Sequence, residues 1–196
     1  MYAYIKGEIT EKNPAFVVIE TAGIGWHINI SLNTFSSIEH ASEAKLYIHH
    51  IQREDVQALF GFATREEKEI FGHLLSVSGV GPNTARMVLS SMETRDIRRA
   101  IGQNDVGAFK QVKGVGPKTA QRILIDLRDK IDAEGHDELL STASPDNTLF
   151  QEALSALLAL GFPRTRASKA LSKIKKEKPS VKSAEDLIKA ALRALS

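Results

Sequence analysis

The chain has 196 residues, 42% of them hydrophobic, and a formal net charge of +2, so it is long enough for one large domain or two to three small ones. It contains no cysteine, which excludes disulfide scaffolds, thiolate zinc sites and cysteine nucleophiles. Because the sequence has no secretory leader pattern and no run of about 18 apolar residues, we expect a soluble, cytoplasmic protein with no membrane partner.

The first 62 residues contain short runs rich in β-branched and aromatic side chains, which are typical of strands. Five strands are predicted, over residues 2–9, 16–21, 25–30, 45–51 and 56–62, with turn residues between the first three and a short helix over 32–38. This order fits a small closed barrel such as an OB-fold, or a β-domain of another topology.

Helical periodicity begins at Thr64, where Thr64-Arg65-Glu66-Glu67 has the residue types of a capping box. The pattern lapses over residues 132–147, an acidic stretch rich in small residues that we predict to be a flexible linker. Beyond it, residues 149–160, 166–174 and 184–195 predict a module of three helices.

Charge is unevenly distributed along the chain. Residues 1–63 contain 4 basic and 7 acidic residues, and residues 64–131 contain 12 basic and 8 acidic ones. Residues 132–147 contain no basic and 5 acidic residues, and residues 148–196 contain 10 basic and 4 acidic ones. This alternation indicates modules with different partners.

A repeat of 13 residues is the strongest motif. Residues 77–89 read VSGVGPNTARMVL and residues 112–124, at an offset of 35, read VKGVGPKTAQRIL, with eight identical positions. Helices are predicted over 66–76 and 105–111, before the two copies, and after each copy. The repeated unit is therefore helix, Gly-Val-Gly hairpin, helix.

Each copy of the repeat suits phosphate binding. Its glycines permit positive φ and close backbone approach, and Pro82 or Pro117 suits the first helical position. The backbone N–H groups of residues 83–85 and 118–120 are predicted to point out of a helix start that carries partial positive charge. Binding through these amides would be largely independent of DNA sequence, whereas two tight helix connections without a ligand are the alternative.

Two nucleotide-binding motifs are incomplete. Gly116-Pro117-Lys118-Thr119 resembles the end of a Walker A loop, but proline stands where that loop has glycine. Gly114-Val115-Gly116 lacks the third glycine of a dinucleotide-binding fingerprint. We therefore expect no nucleotide site and no cofactor in this chain.

The two hairpins resemble the helix-hairpin-helix DNA-binding family, and the chain over nearly its whole length resembles the RuvA family of Holliday-junction-binding subunits. The similar segments are IKGEI at residues 5–9, GIG at 23–25, REDVQALFGF at 53–62, both hairpins, and ALRAL at 191–195.

This resemblance implies an α+β multidomain fold. It comprises an OB-fold barrel over residues 1–63, a tandem helix-hairpin-helix domain over 64–131, the linker, and a three-helix, UBA-like domain over 148–196. It also implies a homotetramer, or a paired octamer, that holds a four-way junction open in a square-planar form during recombination and repair. The C-terminal domain would bind the RuvB ATPase, the RuvC resolvase would act on the same junction, and the chain itself would be non-catalytic.

Glu54 and Asp55 are adjacent carboxylates in the predicted turn between the last two strands. Such pairs are typical of solvated turns, and they also suit a metal-dependent nuclease. The resemblance matches these two carboxylates to an acidic pin at the centre of a tetramer, where they would repel DNA phosphates. Arg53, beside them, would contact the phosphates.

The resemblance assigns DNA contact to both hairpins. The candidate residues are Gly79, Val80, Gly81, Asn83, Thr84, Arg86, Gly114, Val115, Gly116, Lys118, Thr119 and Arg122. Many relatives carry lysine where Asn83 stands, so we expect a weaker electrostatic contribution from the first hairpin, for which Arg86 or Arg122 could compensate.

Four residues of the three-helix module match positions that relatives use against the motor subunit: Leu157, Leu160, Phe162 and Leu192. Helical leucines in so small a domain are also its natural core, and the +6 charge of the module leaves a second DNA site as an alternative. The six histidines show no metal-ligand spacing with a nearby carboxylate, so no metal site is expected.

Overall fold

Side chains near the amino terminus alternate between buried and exposed positions, which is the period of strands that surround one core. The structure is a computed structural model that describes residues 2–54, 56–140, 145–177 and 183–195. Its strands are β1 (Tyr4–Lys12), β2 (Phe16–Thr21), β3 (Ile24–Ile30), β4 (Glu43–Gln52) and β5 (Gln57–Phe62), and α1 (Leu32–Ile38) precedes β4.

The five strands close into a barrel in the order β1-β2-β3-β5-β4. Neighbouring strands are antiparallel except for β3 and β5, which pair in parallel from Ile28 opposite Leu59 to Ile30 opposite Gly61. Buried isoleucine, valine and leucine side chains fill the interior. The closed barrel with one helix before the fourth strand confirms the predicted OB-like fold.

Five helices follow the barrel: α2 (Arg65–Leu75), α3 (Pro82–Ser91), α4 (Thr94–Gly102), α5 (Val106–Lys110) and α6 (Pro117–Leu140). They bury a second core, to which β5 contributes two aromatic rings. The ring centroids of Phe60 and Phe62 lie 5.0 Å and 4.8 Å from that of Phe71 on α2. Barrel and helices therefore form one compact unit, Met1–Asp132.

The first turn of α1 holds the end of α3. The Asn33 Nδ2 donates to the carbonyl oxygens of Leu89 and Met92, at 2.7 Å and 3.0 Å, and the Leu32 N–H donates to Ser90 Oγ at 3.1 Å. Carbonyls at a helix end have no partner within the helix, so these bonds satisfy groups that would otherwise need water. The contact fixes α3 against the barrel.

Glu67 adds a buried contact between α1 and α2. The Glu67 N–H donates to Thr64 Oγ1 at 3.1 Å, as the capping-box residues predict. Its carboxylate instead accepts hydrogen bonds from Ser31 Oγ and, at 2.7 Å, from Thr34 Oγ1. Burial raises the pKa of this carboxyl above its ordinary value, although hydrogen bonds from Ser31, Thr34 and the Ala63 backbone oppose the shift.

The second compact unit, Ala133–Ser196, contains α7 (Pro145–Ala159), α8 (Arg164–Glu177) and α9 (Ala184–Leu195). Its buried core consists of alanine, leucine and isoleucine side chains from the three helices. α6 continues to Leu140, inside the segment predicted to be a linker, and residues 141–144 lie outside the described residues, so the linker stays a prediction. None of the helices in the described parts of the chain could span a membrane.

Candidate nucleic-acid interface

The two Gly-Val-Gly turns fold in the same way. The Val80 N–H donates to the Val77 carbonyl at 3.0 Å, and the Val115 N–H donates to the Val112 carbonyl at 3.0 Å. Gly79 and Gly114 have φ values of +88° and +89°, a conformation that favours glycine. The sequence repeat is therefore also a repeat of backbone geometry.

Val80 and Val115, which were predicted to contact DNA, are each only 6% exposed and belong to the helical core. The structure corrects the prediction for these two side chains, because they anchor the turns from inside. Gly79, Gly114 and Gly116 are exposed and Gly81 is partly so. The turns therefore present backbone, rather than large side chains, at the surface.

The starts of α3 and α6 carry the open amides. The N–H groups of Ala85 and Ala120 donate to the carbonyls of Gly81 and Gly116, each at 2.9 Å, so these two amides are not available as predicted. Within the described part of the chain, the N–H groups of four other residues find no acceptor: Asn83, Thr84, Lys118 and Thr119. Each helix start therefore offers two amides and the positive end of its dipole to an anion.

Basic side chains differ between the two hairpins. Lys118 is exposed at the start of α6, where the first hairpin has the exposed Asn83. Arg122 is also exposed, and its Nη1 donates to Ser78 Oγ at 3.4 Å, which links α6 to the first turn. Lys113, exposed beside Gly114, is a further candidate that sequence analysis missed, although the repeat aligns it with Ser78.

Arg86 has partners within the protein. Its Nη1 donates to the Ala15 carbonyl at 3.0 Å and to Asn29 Oδ1 at 3.3 Å, both in the barrel. Arg86 therefore attaches α3 to the barrel through Nη1, and its predicted contact with DNA stays a prediction. Sequence analysis could not have found the contact with the barrel, because Ala15 and Arg86 are 71 positions apart.

The β4–β5 turn lies beside the first hairpin. The Arg53 N–H donates to the Val56 carbonyl at 2.8 Å and closes the turn. Arg53 and Asn83 line one cleft of about 270 Å³, so the guanidinium and the start of α3 share a surface. Glu54 is exposed at the tip of the turn, and Asp55, the other half of the predicted pin, lies outside the described residues.

A metal-dependent nuclease would need a group of side chains that can hold a metal ion. In the portion of the chain that the structure describes, no three His, Asp or Glu side chains are grouped so that they could hold a metal ion. That portion includes Glu54 but not Asp55.

The four predicted contact residues of the second unit differ in how far their side chains are exposed. Leu157 is 0% exposed and lies in the core, which corrects its prediction as a surface contact, whereas Leu160 is 60% exposed. Phe162 and Leu192 are half-buried and pack against the core. Gly161 has a φ of +89°, and the Phe162 N–H donates to the Leu157 carbonyl at 3.1 Å, which ends α7.

Comparison with known families agrees with this arrangement. The model of the RuvA N terminal domain matches residues 1–61, that of the SAM-like helix-hairpin-helix tandem matches 71–129, and that of the RuvA C-terminal domain matches 148–196.

Relatives match along the whole chain. A protein of Christiangramia forsetii is 48% identical over 196 residues, one of Parabacteroides distasonis 47% over 197, and one of Flavobacterium psychrophilum 46% over 195, each with full coverage of both chains. All three carry the name Holliday junction branch migration complex subunit RuvA. The chain therefore belongs to the RuvA family.

Proposed function

We propose that this chain is the DNA-binding subunit of a branch-migration complex, and that it binds a four-way junction by its structure rather than its base sequence. The observation that carries the proposal is the pair of hairpins with the same geometry, each with two open amides at a helix start. Such sites hold phosphates and do not read base edges. The names of the relatives support a junction as the DNA substrate.

The β4–β5 turn supports a role at the crossover. Arg53 shares a cleft with Asn83, so an acidic turn stands next to a surface suited to phosphates. In a homotetramer, or an octamer of two tetramers, the Glu54 and Asp55 carboxylates of four subunits would meet at the centre. Unit charges of like sign about 4 Å apart repel by about 1 kcal/mol in water and about 4 kcal/mol at an effective dielectric of 20, so this cluster would keep strands apart in an open, square-planar junction.

The second unit is the proposed contact with the motor. Leu160 offers a large apolar side chain at the surface, close to the end of α7. We assign it to binding of the RuvB ATPase, which would hydrolyse ATP and drive the DNA, while the RuvC resolvase would act on the same junction.

A gel-shift comparison tests the DNA-binding proposal. The full chain is titrated with a four-way junction and with linear duplex of equal length, at several salt concentrations. We expect much tighter binding to the junction and a steep loss of affinity with salt, because contacts to phosphates release counterions. Equal affinity for the two DNA molecules would contradict the proposal.

A pair of glycine variants shows whether the hairpins bind the DNA. Gly114→Asp places a side chain at positive φ and a negative charge beside the open amides, so it should abolish the junction shift. Gly102→Asp adds the same charge at an exposed glycine at the end of α4 and serves as the control. If both variants bind as well as the unmodified chain, the hairpins are only structural connections.

A further inference from the structure

A cleft on the barrel is not used by the function proposed above. It has a volume of about 290 Å³, near the lower end of the roughly 300–1,000 Å³ typical of small-ligand sites. Four rings line it, those of Tyr2, Trp26, His27 and His50, and its described lining residues include no carboxylate. A cleft lined by rings and free of negative charge suits a flat, uncharged group.

Tyr2 forms one side of this cleft. Its ring centroid lies 5.4 Å from that of Trp26 and 5.5 Å from that of His50, in edge-to-face orientations of 62° and 63°. Tyr2 precedes β1 and is 42% exposed. We expect this partly exposed ring to change rotamer when a planar ligand enters the cleft, and to pack against that ligand.

Trp26 contributes an unused hydrogen-bond donor. Its Nε1 is buried and has no acceptor among the described residues. Buried donors are nearly always paired, because an unpaired one loses its bond to water without gaining another. When the Tyr2 ring moves, an acceptor on a ligand could satisfy this N–H, and nucleobases carry carbonyl and ring-nitrogen acceptors in their plane.

The cleft adjoins the surface proposed to bind phosphates. Asn29 and Ala58 line both this cleft and the one that contains Arg53 and Asn83. Arg53 is the sole charged side chain among the described residues of the second cleft. The two clefts are therefore neighbours, one next to the start of α3 and the other lined by the rings.

We propose that the ring-lined cleft receives one unpaired nucleobase of the DNA strand that the first hairpin holds by its phosphates. Base pairs must break before strands exchange at a crossover, so a base is transiently without a partner. Stacking on aromatic side chains accepts any base, which suits a protein that moves along DNA of any sequence. This inference rests on the proposed function.

The test uses Trp26, because it is the single tryptophan of the chain and its fluorescence reports on the cleft directly. The full chain is titrated with a junction that carries one unpaired thymine at the crossover, and with the same junction carrying an abasic site there. We expect the thymine to quench Trp26 and to bind more tightly, whereas the abasic junction does neither. The same fluorescence change with both junctions would overturn the inference.

Two tyrosine variants sharpen this test. Tyr2→Ala should reduce the preference for the thymine junction over the abasic junction about fivefold or more, since it removes one stacking ring. Tyr4→Ala is the matched control, because Tyr4 is 53% exposed and does not line the cleft. If Tyr2→Ala leaves the preference intact and changes the oligomeric state instead, measured by light scattering, the cleft is a contact between copies and the inference is wrong.

The two proposals fail in different ways. If the junction and linear duplex bind equally and Gly114→Asp has no effect, the proposed function itself is wrong. If the junction binds through the hairpins while Trp26 does not respond to the unpaired thymine, only the cleft proposal is wrong.

Discussion

Asn83 and Lys118 occupy the same position in two hairpins that have the same backbone geometry. A comparison of the two hairpins therefore shows what one positive side-chain charge contributes to DNA binding. The sequence repeat predicted this equivalence correctly. It could not show that Val80 and Val115 point inward, because that depends on which residues of distant helices pack beneath each turn.

Asn83→Lys should strengthen junction binding. A lysine at the start of α3 would add one phosphate contact, so the slope of log affinity against log salt should steepen by about 0.9. The measurement is the dissociation constant at four or more salt concentrations.

Gln103→Lys is the control for Asn83→Lys, since Gln103 is exposed at the end of α4, outside both hairpins. An equal gain in affinity for both variants would mean that any added positive charge strengthens binding, and that the position of Asn83 has no special role.

Glu67 should make the stability of the first unit depend on pH. Its folded-state pKa is raised, so the folded protein retains this proton at pH values where the unfolded chain has lost it. The stabilising contribution is complete below the ordinary value of 4.5 and is lost as pH rises through the folded-state pKa. Denaturant unfolding, followed by Trp26 fluorescence from pH 4 upward in steps of about 0.5, measures this loss.

Glu67→Gln should flatten that part of the pH profile, because the glutamine side chain does not ionise. Glu69→Gln, on the exposed side of the same helix, should leave the profile as it is in the unmodified chain. Identical profiles for all three proteins would show that Glu67 does not control this pH dependence.

At the scale of elements, the strands and helices were predictable because each follows its own period, two along the barrel and 3.6 beyond it. The contacts that join barrel and helices were not. Asn33 is hydrogen-bonded to Leu89, 56 positions away, and Ser31 to Glu67, 36 positions away. Neither pair of residues produces a recognisable pattern in the sequence. One contact starts from α1 and the other from Ser31, which caps that helix, so this segment connects the barrel to two helices.

Asn33→Ala should destabilise the first unit by about 1–3 kcal/mol, since it leaves the carbonyls of Leu89 and Met92 without their side-chain partner. Denaturant unfolding followed by Trp26 fluorescence is the measurement. Ser36→Ala, at an exposed position of the same helix, should change stability by less than about 0.5 kcal/mol. Equal stabilities for the two variants would mean that water replaces the Asn33 amide without loss.

On the scale of the whole molecule, the two compact units permit separate tests of DNA binding and motor binding. Sequence periodicity predicted the three helices of the second unit, but not which of their leucines are buried. Leu157 and Leu160 are three positions apart, and only Leu157 is in the core.

Leu160→Ala should weaken binding of the RuvB ATPase while stability changes by less than about 0.5 kcal/mol, because an exposed side chain loses little packing. Leu157→Ala should destabilise the second unit by about 2–5 kcal/mol through the cavity it leaves. Thermal melting measures stability, and calorimetric titration with the ATPase measures binding. Unchanged ATPase binding by the Leu160→Ala protein would remove Leu160 from the interface.

The two rings that β5 contributes to the helical core affect how the protein is made. During synthesis the barrel residues leave the ribosome first, but Phe60 and Phe62 stay uncovered until α2 and the helices behind it have also emerged. We therefore expect the barrel to complete its folding only together with the helices that cover these rings. We expect a truncated chain that stops near residue 63 to expose these rings and to aggregate more readily than the full chain, so the barrel and the two hairpins would be obtained together.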